Sequence, residues 1–241
     1  MVVTPAELPA DEAVLTADGA PGLTPPEAAR RVFGTALPLL ERYAALLAGP
    51  GVERGLLGPR EAPRLWDRHL LNCAGLAELL PDGAVVADVG SGAGLPGVVL
   101  ACLRPDLTVV LVEPLLRRAT FLEEVVTELG LRTAVVRRAR AEELAGVQVV
   151  DVVVARAVAP LDRLAGWCLP LLAPGGRLLA LKGERADSEL ATSRPALTRA
   201  GAAGAEVVEV GDAALGTAAR VVVVTRGSGG PPQPRTKRRR P

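Results

Sequence analysis

The chain has 241 residues, a net charge of +1 and only 2% aromatic residues, so alanine, valine and leucine must build its core. Its length and composition suit one globular domain with small appendages. A single histidine excludes two-histidine metal sites, and three cysteines without a C-x-x-C spacing argue against zinc clusters and disulfides. The scarcity of aromatic residues also argues against base-stacking RNA platforms. We therefore predict that the protein holds no metal.

The two ends of the chain carry opposite charges. Residues 1–23 are acidic and lack apolar periodicity, so we predict a disordered lead. Residues 227–241 are rich in glycine, proline and basic residues and predict a disordered basic tail. Two residues of this tail, Arg238 and Arg239, are candidates for contacts with RNA phosphates, although a tail without a specific role is equally open. Because no signal-peptide pattern or 18-residue apolar run occurs, we expect a soluble, cytoplasmic protein.

Residues 24–83 are predicted to form an N-terminal helical extension. The run TPPE at 24–27 is typical of a helix start, with threonine as the cap and proline in the first turn. Apolar residues follow at helical spacing until GPG at 49–51, which we expect to end the helix. A second apolar stripe over 61–80 predicts a second helix.

From residue 84 onward, short β-branched runs alternate with amphipathic segments, which predicts an α/β core over 84–226. Near-continuous apolar strands separated by helices indicate a mostly parallel sheet with helices on both faces. The last two strands lack a long helix between them, which leaves open an antiparallel pairing at one edge. The seven predicted strands lie at 84–90, 108–113, 133–138, 147–156, 176–183, 205–210 and 219–225.

A glycine-rich loop, DVGSGAGLPG at 88–97, follows the first predicted strand and opens a predicted helix. Glycines permit positive φ and a close approach of the backbone to a ligand. Asp88 at the strand end suits a ligand that carries an amino group better than it suits a pyrophosphate. Glu113 ends the next strand, where a carboxylate can bind both hydroxyls of a ribose. The structural alternative is that Asp88 caps the loop and Glu113 is a solvated acid.

The loop resembles motif I of the class I methyltransferases that depend on S-adenosylmethionine. Further matches follow in order along the chain: RHLLN at 68–72, Glu113 with Arg117 and Arg118, RAEE at 140–143, ARA at 155–157, WC at 167–168 and ALKG at 180–183. Over about residues 30–226, this ordered set resembles the RsmG (GidB) family, the ribosomal RNA small subunit methyltransferases G. The stretch 49–60 departs from the family pattern, so no contacts are carried over there.

The resemblance implies a Rossmann-like class I methyltransferase that methylates N7 of guanine 527, in the 530 loop of 16S rRNA. The small ribosomal subunit or its precursor is then the expected partner, and a monomer is expected. The family pattern places Gly90 and Leu95 against S-adenosylmethionine, Glu113 at its ribose, and Arg156 beside its methionine end. The full set of predicted cofactor-binding residues is Asp88, Gly90, Gly92, Gly94, Leu95, Glu113, Ala141, Glu142 and Arg156.

Guanine N7 has an exposed lone pair, so its methylation requires alignment of the reacting atoms rather than removal of a proton. The chain also lacks the Pro-Cys and Asn/Asp-Pro-Pro motifs of other methylation chemistries. Arg156 and Lys182 each end a strand at the edge where α/β sheets bind ligands. We predict Arg156, Lys182 and His69 as catalytic residues, and Arg68, His69, Arg117, Arg118, Lys182, Arg238 and Arg239 as RNA-binding residues.

Structural alternatives stay open for these residues. His69 is equally well explained as a packing residue, Lys182 as a solvated loop lysine, and Arg156 as a phosphate or surface contact. Trp167 and Cys168 lie in an apolar segment and are predicted to belong to the core.

Three other functions stay open from the sequence. A class I methyltransferase could act on another RNA, a small molecule or a protein. An NAD(P)-dependent reductase is disfavoured because no Tyr-x-x-x-Lys follows and Tyr43 is the only tyrosine. A non-catalytic RNA-binding module would leave the glycine loop unexplained.

Overall fold

A computed structural model describes residues 23–215 and 217–229 of the protein. The predictions for the acidic lead and the basic tail, including Arg238 and Arg239, lie outside the described residues except at positions 23 and 227–229.

A seven-stranded sheet forms the centre of the molecule. Its strands are β1 Val85–Val89, β2 Thr108–Val112, β3 Ala134–Arg137, β4 Val150–Arg156, β5 Leu172–Lys182, β6 Ala202–Val210 and β7 Ala219–Arg226. They lie in the order β3-β2-β1-β4-β5-β7-β6. Strands β1 to β5 are parallel, whereas β7 is antiparallel to both β5 and β6. The predicted mostly parallel sheet with a mixed edge is therefore confirmed.

Helices cover both faces of this sheet. They are α1 Glu27–Phe33, α2 Leu37–Leu46, α3 Leu71–Ala74, α4 Gly97–Leu103, α5 Leu116–Glu128, α6 Ala141–Leu144, α7 Leu161–Cys168 and α8 Ala186–Arg199. Short 3-10 and π turns extend several of them, at Gly34–Ala36, Leu47–Gly51, Ala62–Arg64, Leu65–Leu70, Gly75–Leu79, Leu169–Leu171 and Ala213–Leu215. No helix within the described residues is long and apolar enough to cross a membrane.

Two apolar clusters, one on each face, explain why the central strands are almost entirely apolar. Helices α1 to α5 pack on the face that includes Val86, Leu111 and Val154. Helices α6, α7 and α8 pack on the face that includes Val153 and Ala180. Because neighbouring residues of a strand point to opposite faces, strands covered on both sides must be apolar at every position.

The N-terminal helical extension differs from its prediction at two points. The first helix begins at Glu27, and its cap position is Pro26, which makes no side-chain hydrogen bond, so the predicted threonine cap is wrong. The GPG run at 49–51 does not end the helical segment that includes α2, because a π turn continues through Pro50. Proline lacks the amide hydrogen, and a π turn accommodates such an irregularity. The helical segment instead ends near Gly55, whose φ is +65°.

Candidate active site

Two cavities meet at the carboxyl ends of the parallel strands. The first has a volume of about 390 Å³ and is lined by Gly90, Glu113, Ala141 and Glu142, among others. The second has a volume of about 660 Å³, and its lining includes Arg68, Asn72, Arg156, Lys182 and Arg185. Ala157, which follows β4 and has a φ of +54°, lines both cavities. The two cavities therefore adjoin at Ala157.

The glycine loop forms one wall of the first cavity. The backbone amides of Gly90 and Ser91 donate hydrogen bonds to the carbonyl of Val112, which folds the loop onto the end of β2. Gly90 has a φ of +72°, and a Cβ there would lie 2.8 Å from Val158 Cγ2. Only glycine satisfies both conditions, because a left-handed backbone and a collision exclude any side chain.

Glu113 is the acidic group of the first cavity. It is only 2% exposed. Its Oε2 accepts a hydrogen bond from the Gly92 amide at 3.0 Å, and its Oε1 accepts one from the Leu115 amide at 3.0 Å. Each carboxylate oxygen has a second lone pair, so both remain able to accept a hydroxyl hydrogen. The amides of Gly92 and Leu115 thus hold the Glu113 carboxylate at the wall of the first cavity.

Arg156 connects the sheet edge to the N-terminal helical extension. Its Nη2 lies 2.5 Å from His69 Nδ1 and 3.4 Å from the carbonyl of Arg68, to which it donates. Its Nη1 donates to the carbonyl of His69 at 3.3 Å and lies 3.4 Å from Cys73 Sγ. The guanidinium therefore holds the π turn Leu65–Leu70 beside the second cavity.

His69 lies between Arg156 and an acid. Its Nε2 is 2.8 Å from Glu61 Oε2. Burial and the positive charge of Arg156 lower the pKa of His69, although Glu61 opposes this shift. The hydrogen bond from His69 in turn lowers the pKa of Glu61. At neutral pH His69 is thus an uncharged imidazole that donates from Nε2 to Glu61 and accepts at Nδ1 from Arg156.

Lys182 is engaged in an ion pair at the end of β5. Its Nζ lies 2.8 Å from Glu189 Oε1 and donates to the carbonyl of Ala159 at 3.1 Å. Glu189 also accepts a hydrogen bond from the Leu161 amide at 2.8 Å. The lysine therefore fixes the loop between β4 and α7, so the alternative of a freely solvated lysine is wrong.

Comparison with known proteins decides the family. A family model described as rRNA small subunit methyltransferase G (GidB) matches residues 36–215. The chain belongs to this family. A relative of that name from Thermobifida fusca is 58% identical over 203 residues, which are 84% of this chain and 86% of the relative. Another from Nocardioides is 61% identical over 199 residues, 82% of this chain and 79% of the relative.

Among solved structures, a SAM-dependent O-methyltransferase from Thermotoga maritima superposes with a TM-score of 0.49 at 18% identity. The match covers 65% of this chain and 64% of that one.

As a member of the GidB family, the protein is an S-adenosylmethionine-dependent methyltransferase of small-subunit rRNA. The first cavity fits this cofactor in two respects. Gly90 leaves open the space that a Cβ would fill, and Glu113 presents a fixed carboxylate next to it. Membership removes the reductase, the small-molecule or protein substrate and the non-catalytic module as alternatives.

Asp88 occupies a different position from the one predicted. Its side chain is 0% exposed, and Oδ2 accepts hydrogen bonds from Ser91 Oγ at 2.6 Å and from the Gly97 amide at 2.9 Å. Its Oδ1 is buried and finds no partner among the described residues. Asp88 does not line the first cavity. These bonds hold the glycine loop against α4, as in the structural alternative, and the cofactor contact of Asp88 stays a prediction.

Burial of Asp88 predicts an unusual pH dependence of stability. Burial raises the pKa of its carboxyl to about 6 from 3.8. The folded protein therefore keeps a proton that the unfolded chain loses, so this residue makes the free energy of unfolding fall as pH rises from about 4 to 6, by roughly 2–3 kcal/mol. Asp88→Asn should lack this fall.

Chemical denaturation of both proteins between pH 4 and 7 measures the effect. Acids other than Asp88 titrate alike in the two proteins, so the difference isolates Asp88. A difference that stays constant across this range would contradict the raised pKa.

Four other predicted cofactor contacts, Gly92, Gly94, Leu95 and Arg156, do not line the first cavity, and Arg156 lines the second one. Gly92 acts through its amide on Glu113. A Cβ at Gly94 would lie 2.7 Å from Tyr43 Oη, so this glycine permits packing against α2. Leu95 packs on the apolar cluster that includes the N-terminal helices. These contacts shape the glycine loop, and the predicted cofactor contacts of these residues stay predictions.

Other side chains border the first cavity in ways that the sequence did not predict. Trp167, predicted as core, lines the cavity, whereas Cys168 is buried as predicted. Arg118, predicted to bind RNA, also lines the cavity and lies 3.9 Å from Glu113. Arg117 is exposed, so it is open to RNA contact. One sequence feature indicates that Trp167 lies at the edge of the core. The buried residues of α7 include Leu161, Leu164 and Cys168, and Trp167 lies beside this apolar stripe.

Tyr43 is a further residue that the sequence did not assign to the site. It is completely buried in α2, and its hydroxyl donates to the carbonyl of Ala93 in the glycine loop at 2.8 Å. Burial raises the pKa of this phenol well above 10, so the hydroxyl stays a donor. The N-terminal helical extension thus supports the glycine loop through this hydrogen bond.

Tyr43→Phe should weaken S-adenosylmethionine binding severalfold. The Ala93 carbonyl would lose its partner, which costs about 1–2 kcal/mol, and the loop would be held less firmly. Calorimetric titration with the cofactor measures the affinity, and thermal unfolding checks that the fold persists. A suitable control is Thr127→Val, since that hydroxyl bonds only within α5, to the Glu123 carbonyl. Unchanged affinity in Tyr43→Phe would show that the loop needs no such support.

Proposed function

We propose that the protein methylates N7 of a guanine in 16S rRNA, guanine 527 of the 530 loop in the usual numbering. The observation that carries the proposal is that His69 and Lys182, the predicted catalytic groups beside the second cavity, are already engaged. His69 lies between Glu61 and Arg156, and Lys182 is paired with Glu189. Such groups are poor bases for deprotonating a hydroxyl or an amino group. Guanine N7, whose lone pair needs no deprotonation, is the target that this arrangement favours.

In this proposal the two cavities divide the reaction between them. S-adenosylmethionine supplies an electrophilic methyl group on a sulfonium. Glu113 binds and orients the ribose of the cofactor, while Ala141 and Glu142 border its adenine. Arg68 and Arg156 in the second cavity attract the RNA phosphates, and Ala157 at the junction leaves room for the guanine. The cytoplasmic location that the sequence predicts belongs to the same proposal. Catalysis then consists mainly of alignment, which can contribute several kcal/mol.

Mapping of the modified nucleotide tests this function. Small subunits from cells that lack the gene should contain one guanine that the purified protein methylates, and mass mapping with cleavage at 7-methylguanine should place it at position 527. Isolated 16S rRNA provides the comparison that shows whether the assembled particle is required. Methylation of a different base, or of an amino group or ribose, would refute the proposal.

The basic tail is proposed to add phosphate contacts. Residues 231–241 contain five bases, including Arg238 and Arg239, and no acid. Deleting them should lower the slope of the logarithm of RNA affinity against the logarithm of salt concentration by about 4–5, if all five make contacts. Cofactor affinity, measured in parallel, should not change. An unchanged slope would mean that the tail does not bind RNA.

A further inference from the structure

Glu61 lines neither cavity, but it contacts Arg68, which lines the second cavity, and His69, which contacts Arg156. It precedes the 3-10 turn Ala62–Arg64, and its Oε2 lies 2.8 Å from His69 Nε2. Its other oxygen lies 3.4 Å from Arg68 Nη1. His69 in turn reaches Arg156, at the end of β4, through Nδ1. An acid of the N-terminal helical extension is thus connected to the sheet edge through one imidazole.

We propose that Glu61 is a positioning residue for methyl transfer, which fixes the tautomer of His69 and thereby the position of Arg156. A carboxylate can only accept hydrogen bonds, so it places the imidazole hydrogen on Nε2. Nδ1 is then unprotonated and accepts from Arg156. With the hydrogen on Nδ1 instead, two donors would face each other at 2.5 Å, and the guanidinium would have to move.

The charged residues around His69 determine how its pKa should change when one of them is replaced. Glu61 and Arg68 face it from the N-terminal helical extension, and Arg156 faces it from β4. Glu61 favours the imidazolium, whereas both arginines disfavour it. Removing Glu61 should therefore lower the pKa of His69 further, and removing Arg156 should raise it. Two variants with opposite shifts give a stricter test than either variant alone.

The ¹⁵N spectrum of the histidine side chain reports the tautomer and the pKa of His69 directly, because His69 is the only histidine. In the full-length protein labelled with ¹⁵N-histidine, we expect the Nε2–H tautomer and a pKa below the usual 6.5. Glu61→Ala removes one of the two groups that favour the Nε2–H tautomer, the other being Arg156, so the Nδ1–H fraction should rise and the pKa should fall. Glu61→Gln should retain the wild-type tautomer, because the amide oxygen can accept the same hydrogen bond.

Glu128→Ala is the matched control, since Glu128 forms an exposed ion pair with Arg42 on α2 and α5. This variant should leave the spectrum of His69 unchanged. A wild-type tautomer in Glu61→Ala would overturn the proposal, as would a pKa that rises. The spectrum is recorded without cofactor or RNA, so this result is independent of the target proposed above.

Methylation provides the second measurement and rests on the proposed function. Displacement of Arg156 by a fraction of an ångström should lower kcat of Glu61→Ala about tenfold, because alignment dominates the rate. The KM for the small subunit should change less than kcat, and Glu61→Gln should recover most of the rate. If Glu61→Ala methylates as fast as Glu128→Ala, Glu61 does not position the site. If the wild-type protein methylates another atom, only the proposed target fails.

Discussion

Replacing Gly90 with valine should lower the affinity for S-adenosylmethionine by at least about 100-fold. Gly90 has a φ of +72°, and a Cβ there would lie 2.8 and 2.9 Å from the two Cγ atoms of Val158. The strained backbone and the collision each cost roughly 1–3 kcal/mol. Val158 is itself a wall of the cavity, so moving it away from a new side chain changes the shape that receives the cofactor.

Gly92→Ala is the control that separates backbone strain from collision. Gly92 has a φ of +60°, but a Cβ there would meet only the Gly90 carbonyl oxygen, at 3.8 Å. This variant should incur only the backbone strain, which costs about 1–2 kcal/mol. Calorimetry measures the cofactor affinity of each variant, and circular dichroism confirms that the sheet is folded. Wild-type affinity in a folded Gly90→Val protein would show that the loop does not contact the cofactor.

Replacing Arg156 with alanine should remove most methylation of the small subunit, by about 100-fold. The guanidinium holds the turn that carries Arg68 at the second cavity, and an ångström of misplacement can cost on the order of 100-fold in rate. Arg156→Lys should recover little, because an ammonium cannot reproduce the planar fork that reaches His69 Nδ1 and two carbonyls.

The structure changes one part of the expectation for Arg156. From the sequence alone, its loss should hardly affect the stability of the ligand-free protein. The contacts to the carbonyls of Arg68 and His69 now predict a loss of about 1–2 kcal/mol in the free energy of unfolding. Thermal unfolding and a methylation assay are needed together, with Arg42→Ala as an exposed control. If Arg156→Ala methylates at the wild-type rate, or is unfolded at the assay temperature, the role is wrong.

The sequence predicts the sheet well because burial on both faces demands apolar residues at every strand position. The apolar runs that contain Val86, Leu111 and Val154 are therefore predicted as buried strands. The glycine loop is equally visible, since positive φ restricts the residue type at Gly90. Glu113 is predictable because a carboxylate at the end of a strand meets the ligand-binding edge.

What the sequence cannot provide is the direction in which a side chain points within an irregular segment. Asp88 and Gly94 belong to the same ten-residue motif as Gly90, yet the loop directs them toward Ser91 and toward Tyr43. The contact of Tyr43 with Ala93 joins residues 50 positions apart, and that of Arg156 with His69 joins residues 87 apart. Such pairings depend on how the N-terminal helices pack on the sheet, for which a linear pattern contains no signal.

Because the N-terminal helices and the sheet share one apolar cluster, the two parts of the chain cannot be separated without exposing apolar surface. Residues 24–83 and 84–226 are separate in sequence, but Phe33, Leu40 and Leu70 are buried in the same cluster as Val86 and Leu111. A recombinant chain that begins at residue 84 would expose to water the apolar surface that α1, α2 and α3 cover, while α4 and α5 would remain in place. The N-terminal helical extension is consequently not a transplantable module. Chimaeras intended to change substrate choice should exchange individual surface residues of that extension and leave its buried face intact.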